Sequence, residues 1–264
     1  MSAAPQLVTS RDNPLLLRLR KLARDPAAYR KLGVVWLEGE HLASALRQRG
    51  LRPVQAVVAE SAWAQPAARE LALWAPQVVR VPDALFDGLS ALESPARLGF
   101  VMALPAAPAV LPQLASVVLD RVQDAGNVGS ILRTAAALGV PQVLALQGTA
   151  GLWSPKVLRA GMGAHFGLRM VEGLQADDLR ALQVPLVGTA LDTEQWLGVA
   201  PLPSPCAWVL GHEGQGMAPA VRALCAQVLR IPQPGGEESL NVAAAAAICL
   251  YESMRQAMSA HPAQ

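Results

Sequence analysis

Short apolar runs alternate with amphipathic stretches along most of the chain, and the alternation starts twice. Leu15, Leu16, Leu19 and Leu22 recur at helical spacing behind Asn13 and Pro14, which predicts a capped helix through Arg24. Val34–Leu37 reads as a strand, Glu38–Arg49 as a helix closed by Gly50, and Pro53–Ala59 as a second strand. Ala62–Trp74 has a helical pattern, Gln77–Val81 a strand pattern, and Pro82–Leu92 a helical one. An apolar strand, Gly99–Leu104, lies within a Pro- and Ala-rich stretch, Ser94–Pro112. From Leu114 the alternation begins again. Strands are expected at Ser116–Asp120, Gln142–Ala145, Leu168–Val171, Pro185–Thr189, Ala207–Leu210 and Val228–Ile231. Helices are expected at Gly126–Leu138, from Ser154 to Ala160, at Ala176–Gln183 and at Ala243–Met254. Continuous apolar strands separated by helices predict a mainly parallel sheet covered on both faces. The composition shift places a boundary near residues 105–113, with domains at 1–105 and 113–264.

The chain is 52% hydrophobic and 16% charged over 264 residues, so a membrane reading has to be tested. The longest uncharged runs, Leu98–Leu119 and Thr134–Pro155, are interrupted by prolines or glycines, and neither suits a spanning helix of about 20 residues. Met1–Gln6 lacks the basic-then-apolar order of a secretory signal. Three cysteines without a CxxC fit reduced, buried thiols and a cytoplasmic location. The histidines form no ligand spacing, so no metal is expected.

Charge is uneven. Residues 1–52 hold ten Lys and Arg against four Asp and Glu, leaving the remainder net acidic. A polyanion is therefore expected to meet the N-terminal region, with Arg18, Lys21, Arg30 and Lys31 as its contacts. A solvated helix face is the competing reading.

Three later stretches carry polar residues where strands end. Asp120–Leu138 leads through Gly126-Asn127-Val128-Gly129 into a helix, and its glycines allow close backbone approach at a helix N-terminus. Arg133, six residues beyond Asn127, is expected near the same end of that helix. Trp208–Met217 places three glycines around Glu213 just beyond an apolar strand, the edge of an α/β sheet where ligands bind. His212 there reads as a hydrogen-bonded loop residue. Ile231–Glu252 passes from a Pro/Gly loop through Glu237, Glu238, Ser239 and Asn241 into an Ala-rich helix suited to close packing, including a dimer face. No GxGxxG follows a strand, which argues against a dinucleotide oxidoreductase.

Together the stretches resemble the SpoU (TrmH-like) branch of the SPOUT RNA methyltransferases. The matching residues are Asn127, Gly129, Arg133 and Ala135; Gly211, Glu213 and Gly216; and Ile231, Pro232, Gly235, Ser239, Leu240, Asn241 and Val242. Departures are Ala125 where proline is common, and Gly161 and Ala243 where serine is common. The N-terminal stretch is similar to the ribosomal-protein-like domain that precedes many such catalytic domains.

The resemblance implies an α/β fold, with a C-terminal SPOUT trefoil-knot domain after a smaller α/β ribosomal-protein L30e-like substrate-binding domain. It implies transfer of a methyl group from S-adenosylmethionine to a ribose 2′-OH of RNA, rRNA rather than tRNA, by a homodimer. Thr189, Gly211, Ile231 and Leu240 would hold the cofactor. Arg133, Asn127, Glu213, Ser239 and Asn241 would carry the chemistry. Arg133 would orient the ribose-phosphate, since arginine stays protonated. A non-catalytic RNA-binding protein of the same fold is the alternative.

Overall fold

The computed structural model describes residues 4–235 and 239–260. They fall into two compact units, Met1–Ala106 with Trp153–Phe166, and Ala107–Leu152 with Gly167–Gln264.

The first unit holds β1 (Gln6–Leu7), β2 (Val34–Glu38), β3 (Gln55–Ala59), β4 (Val78–Val81) and β5 (Leu98–Ala103), in the order β1-β4-β3-β5-β2. β1 and β3 run parallel to β4, whereas β5 runs antiparallel to β3 and β2. Ala56, Val57, Val58 and Ala59 are fully buried, as a central strand covered on both faces requires. The Asn13 side chain accepts from Leu15 N at 2.9 Å and starts the helix Pro14–Arg24, which buries Leu16, Leu19 and Leu22. Trp36 lies over Gly99 on the neighbouring strand, where a Cβ would have no room. The helix expected over Ala62–Trp74 is two, Glu60–Trp63 and Pro66–Leu73, because Pro66 lacks the N–H to continue the first and suits the first turn of the second. Pro82–Leu92 shortens to Asp83–Asp87, stopped at Gly88. The unit also takes in the helix Pro155–Gly161, which the sequence pattern groups with the later segment. Gly163, with φ +87°, lies so close to Ala45 that a Cβ there would overlap it.

The second unit is a six-stranded sheet of β6 (Ser116–Leu119), β7 (Gln142–Leu146), β8 (Arg169–Leu174), β9 (Leu186–Thr189), β10 (Ala207–Leu210) and β11 (Gln227–Leu229). The order is β11-β9-β10-β6-β7-β8, and every pairing is parallel. β6, β7 and β10 are buried along their whole length. On one face Val118, Leu144, Val171, Leu179, Leu186, Val209 and Val221 form a core. The helices Ala125–Ala137 and Val242–Ala260 pack against each other, and Trp208 Nε1 donates to Ser253 Oγ at 2.7 Å. Ala176–Ala181 forms a 3-10 segment rather than the expected α-helix, and the short helix Pro219–Arg222 has no counterpart in the sequence pattern. After β6 the chain moves outward in one direction to β7 and β8, while β10, β9 and β11 lie on the other side. The C-terminal ends of β6 and β10 therefore flank a switch point, where open parallel sheets bind ligands.

Candidate active site

Four strand ends supply the site. Beyond β9, β10 and β11 the chain lines a cleft of about 530 Å³, within the usual size of a small-molecule site. Thr189 to Asp192 form one wall, Gly211 to Met217 a second, and Ile231, Gln233, Ser239, Leu240, Val242 and Ala245 a third. Thr189, Gly211, Ile231 and Leu240, expected to hold a cofactor, all line this one cleft. Gly211 cannot carry a side chain, because a Cβ there would overlap the backbone of Gly216 and Met217. The loop doubles back tightly. His212 and Gly216 exchange backbone hydrogen bonds at 3.0 and 2.8 Å, and His212 Nδ1 accepts from Gly214 N at 3.0 Å and Gln215 N at 3.2 Å. His212 thus shapes the loop, as the sequence reading has it.

A polar chain runs from the rim of this loop to the start of the last helix. Glu213 accepts from Gln123 N at 3.3 Å, Asp124 N at 3.2 Å and Asn127 Nδ2 at 3.2 Å. Asn127 Oδ1 accepts from Asn241 Nδ2 at 2.9 Å. Asn241 Oδ1 in turn accepts from Ala243 N at 2.9 Å and Ala244 N at 3.3 Å, capping Val242–Ala260. The two ends fix both amide orientations, because the helix offers only N–H donors and the carboxylate only acceptors. Burial by itself raises the Glu213 pKa, but the hydrogen bonds it receives outweigh burial and hold the group below its ordinary range.

Arg133 and Ser239 lie outside that chain. Arg133 is exposed and is the ninth of thirteen residues in Ala125–Ala137. At 100° per residue, six positions put it about 9 Å along the axis and on a different face from Asn127. The expectation that it sits near the same end is corrected accordingly. Ser239 is exposed and lines the cleft. The departures have local explanations. Ala125 is the first helical residue, a position that demands no particular side chain. Ala243 contributes its backbone N–H to the Asn241 cap. Gly161 ends a helix of the first unit. Glu237 and Glu238 lie outside the described residues.

Sequence reasoning missed four charged residues near the cleft. Asp120, 1% exposed, accepts from Ala218 N at 2.5 Å and pairs with Arg121. Arg222 makes a two-oxygen pair with Asp192 at 2.8 and 2.9 Å, and both line the cleft. A carboxylate closing an otherwise apolar strand, as in Ser116–Asp120, was the available signal.

Among the described residues no group of three His, Cys, Asp or Glu could hold a metal, and no helix is long and apolar enough to cross a membrane. Cys206, Cys225 and Cys249 are free thiols, and burial pushes Cys225 up to about 11.

In the first unit, Arg18, Lys21, Arg30 and Lys31 are all exposed. Arg18 donates to Leu32 O at 3.2 Å, and the Arg30 guanidinium sits 5.0 Å from the Tyr29 ring centre. Arg24, which shares the helical face of Arg18 and Lys21, is exposed as well, and Arg47, Arg49 and Arg52 add exposed positive charge that the sequence reading did not single out.

The sequence profile of the SpoU rRNA Methylase family matches residues 115–251. A 23S rRNA (guanosine(2553)-2′-O)-methyltransferase of Bacillus subtilis, RlmP, is 31% identical over 225 residues, covering 84% of this chain and 88% of that protein. A 23S rRNA (uridine(2479)-2′-O)-methyltransferase of Streptomyces viridochromogenes is 29% identical, covering 81% and 84%. The crystal structure of the SpoU methyltransferase AviRb from the latter organism, in complex with AdoMet, superposes with a TM-score of 0.85 at 26% identity, covering 94% of this chain and 99% of that one.

Proposed function

The chain belongs to the SpoU rRNA methylase family, and we propose that it transfers a methyl group from S-adenosylmethionine to a ribose 2′-OH of ribosomal RNA. The observation that carries this reading is the joining of Asn127, Glu213 and Asn241 into one hydrogen-bonded chain beside a cleft lined by Thr189, Gly211, Ile231 and Leu240.

The cleft fits the cofactor chemically. Leu191, Ile231, Leu240, Val242 and Ala245 offer an aliphatic surface for a flat base, and Thr189 and Ser239 offer hydroxyls. Asp192 and Arg222 offer both signs of charge to an amino-acid end. Gln233 Oε1, in the same wall, is buried with no hydrogen-bond partner among the described residues. When bound, S-adenosylmethionine supplies a methyl group on a sulfonium, which is already a good electrophile.

The protein's task is therefore the hydroxyl. The ribose oxygen must be held in line with the methyl group, and its proton must leave as the new C–O bond forms. A guanidinium is a donor and not a base, so Arg133 orients the ribose-phosphate and stabilises charge developing on the oxygen, with an RNA phosphate as proton acceptor. Asn127 and Asn241 fix the surface on which the ribose rests, and Glu213 anchors both to the cofactor loop. Ser239 offers its hydroxyl to the substrate from the cleft wall.

Residues 1–105 act as the RNA-binding domain, through Arg18, Lys21, Arg30 and Lys31, and residues 113–264 as the methyltransferase. The segment beyond β11 is threaded as a trefoil knot. The protein works as a cytoplasmic homodimer, paired through Val242–Ala260, which leaves Ile248, Tyr251 and Met258 exposed at 40%, 55% and 64%.

Calorimetry with S-adenosylmethionine, followed by methyl transfer to rRNA, tests the assignment. Wild-type protein binds the cofactor and methylates, and Arg133→Ala binds it equally but transfers no methyl. Absence of cofactor binding would leave a non-catalytic RNA-binding protein, and normal transfer by Arg133→Ala would remove that residue from the chemistry.

A further inference from the structure

Arg121 is a charged residue that the proposed chemistry does not use, and its backbone is unusual. Its φ is +59°, a left-handed conformation that costs a non-glycine residue about 1 kcal/mol. Such conformations persist where the surroundings fix them. Here the surroundings do so from three sides. The guanidinium donates to Asp120 Oδ1 at 3.0 Å, Gln215 Oε1 at 3.0 Å and Gly216 O at 3.3 Å. Gly148 leaves space for the side-chain stem, since a Cβ there would come within 3.2 Å of Arg121 Cγ. Asp120, at the end of β6, holds the far side of the same loop through Ala218 N.

We propose that Arg121 is a positioning residue that latches the loop Gly211–Met217 to the end of β6 and forms that wall of the cleft before the cofactor arrives. The proposal rests on reading the cleft as the S-adenosylmethionine site. The physical reason lies in the loop itself. With glycines at 211, 214 and 216, it loses much conformational freedom on ordering. A loop ordered only part of the time lowers apparent affinity by the ordered fraction. Arg121 supplies two bonds to the loop from just beyond β6, where its neighbours are held by Asp120 N donating to Leu210 O at 2.8 Å and Ala150 N donating to Val122 O at 2.9 Å.

The test must avoid stranding the buried Asp120 charge, because breaking a buried pair from one side destabilises the fold. The paired variant Asp120→Asn with Arg121→Gly keeps the acceptor for Ala218 N, removes the left-handed penalty and removes the latch. Gln215→Ala breaks one latch bond from the opposite side. Two quantities are measured, S-adenosylmethionine affinity by calorimetry and amide hydrogen exchange at Gly214–Met217 in the free protein. Loss of a charge-assisted hydrogen bond predicts affinity roughly tenfold weaker in the paired variant and a smaller loss in Gln215→Ala. Loop exchange is expected to rise in both variants and to return towards wild type at saturating cofactor, while exchange in β6 and β10 stays put. Adding Gln215→Ala to the paired variant is expected to cost little more.

Affinity within twofold of wild type, or unchanged loop exchange, would overturn the latch. Faster exchange spread over the whole sheet would overturn it too, by showing a role in general stability. If the wild-type protein binds no S-adenosylmethionine, the reading of the cleft fails, whereas the exchange comparison still decides whether Arg121 holds the loop.

Discussion

Asn241 donates its side-chain N–H to Asn127 Oδ1 at 2.9 Å across 114 residues of sequence. This bond joins the start of the last helix to the start of the helix after β6. Both amides are engaged at each end, so each has one allowed orientation. Asn241→Asp keeps the acceptor that caps Val242–Ala260 but sets a carboxylate against the Asn127 oxygen. Methyl transfer is expected to fall at least tenfold, with stability changed by less than about 1 kcal/mol because the cap survives. Asn241→Ala is expected to lose the cap as well. Initial rates and thermal melts of the two variants separate the effects.

The lowered pKa of Glu213 gives a pH dependence with a definite sign. Its stabilising contribution is complete above the ordinary carboxylate value of 4.5 and is lost as pH falls through the lower folded value. Cofactor affinity should therefore show no Glu213 titration between about pH 5.5 and 8. Glu213→Gln should weaken binding across that whole range. Calorimetry at several pH values checks both statements, and a midpoint near neutrality that vanishes in Glu213→Gln would contradict them.

Gly211→Ala introduces a methyl group where Gly216 and Met217 backbone already sits. The neighbours are main chain, so the loop must move. Cofactor affinity is expected to fall at least tenfold, with about 1–3 kcal/mol of destabilisation from overpacking. Gly214→Ala, whose Cβ would meet only the His212 ring at 3.8 Å, is the milder comparison. Equal affinities for the two would show that loop geometry does not govern the cleft.

Replacing Arg18, Lys21, Arg30 and Lys31 with alanine should weaken RNA binding and flatten its salt dependence. The log–log slope should drop by about 0.7–0.9 for each phosphate that is no longer neutralised. Arg18 also ties two helices through Leu32 O, so Arg18→Lys provides a stability control. A second set, Arg47, Arg49 and Arg52, measures the contribution of the remaining exposed arginines. An unchanged slope in the first set would return it to a solvated surface.

The site was legible where it depends on local pattern. Apolar strands ending in Gly, Asn or Glu marked the C-terminal edge of a parallel sheet, and that edge brings Asn127, Glu213 and Asn241 together. The split at Pro66 was equally local, since a proline opens a helix better than it continues one. The position of Arg133 could have been settled by counting, as six residues do not return to the same helical face. Long-range relationships left no such trace. Arg121 meets Gln215 94 residues away, through a left-handed backbone that no residue type there announces. The grouping of 153–166 with the first unit depends on which surface a short helix covers, and its own sequence suits either.

The placement of Asn241 has a kinetic consequence. Asn127 lies on an early helix of its unit, but its partner is made more than a hundred residues later. During synthesis β6, the helix after it and β7 can pair as soon as they emerge, because they are close in sequence. The cleft wall at 231–245 and the partner of Asn127 are still missing then. Recognition of a ligand is thus deferred until nearly all of the unit has been made, and a chain stalled before residue 241 lacks both that wall and the partner of Asn127.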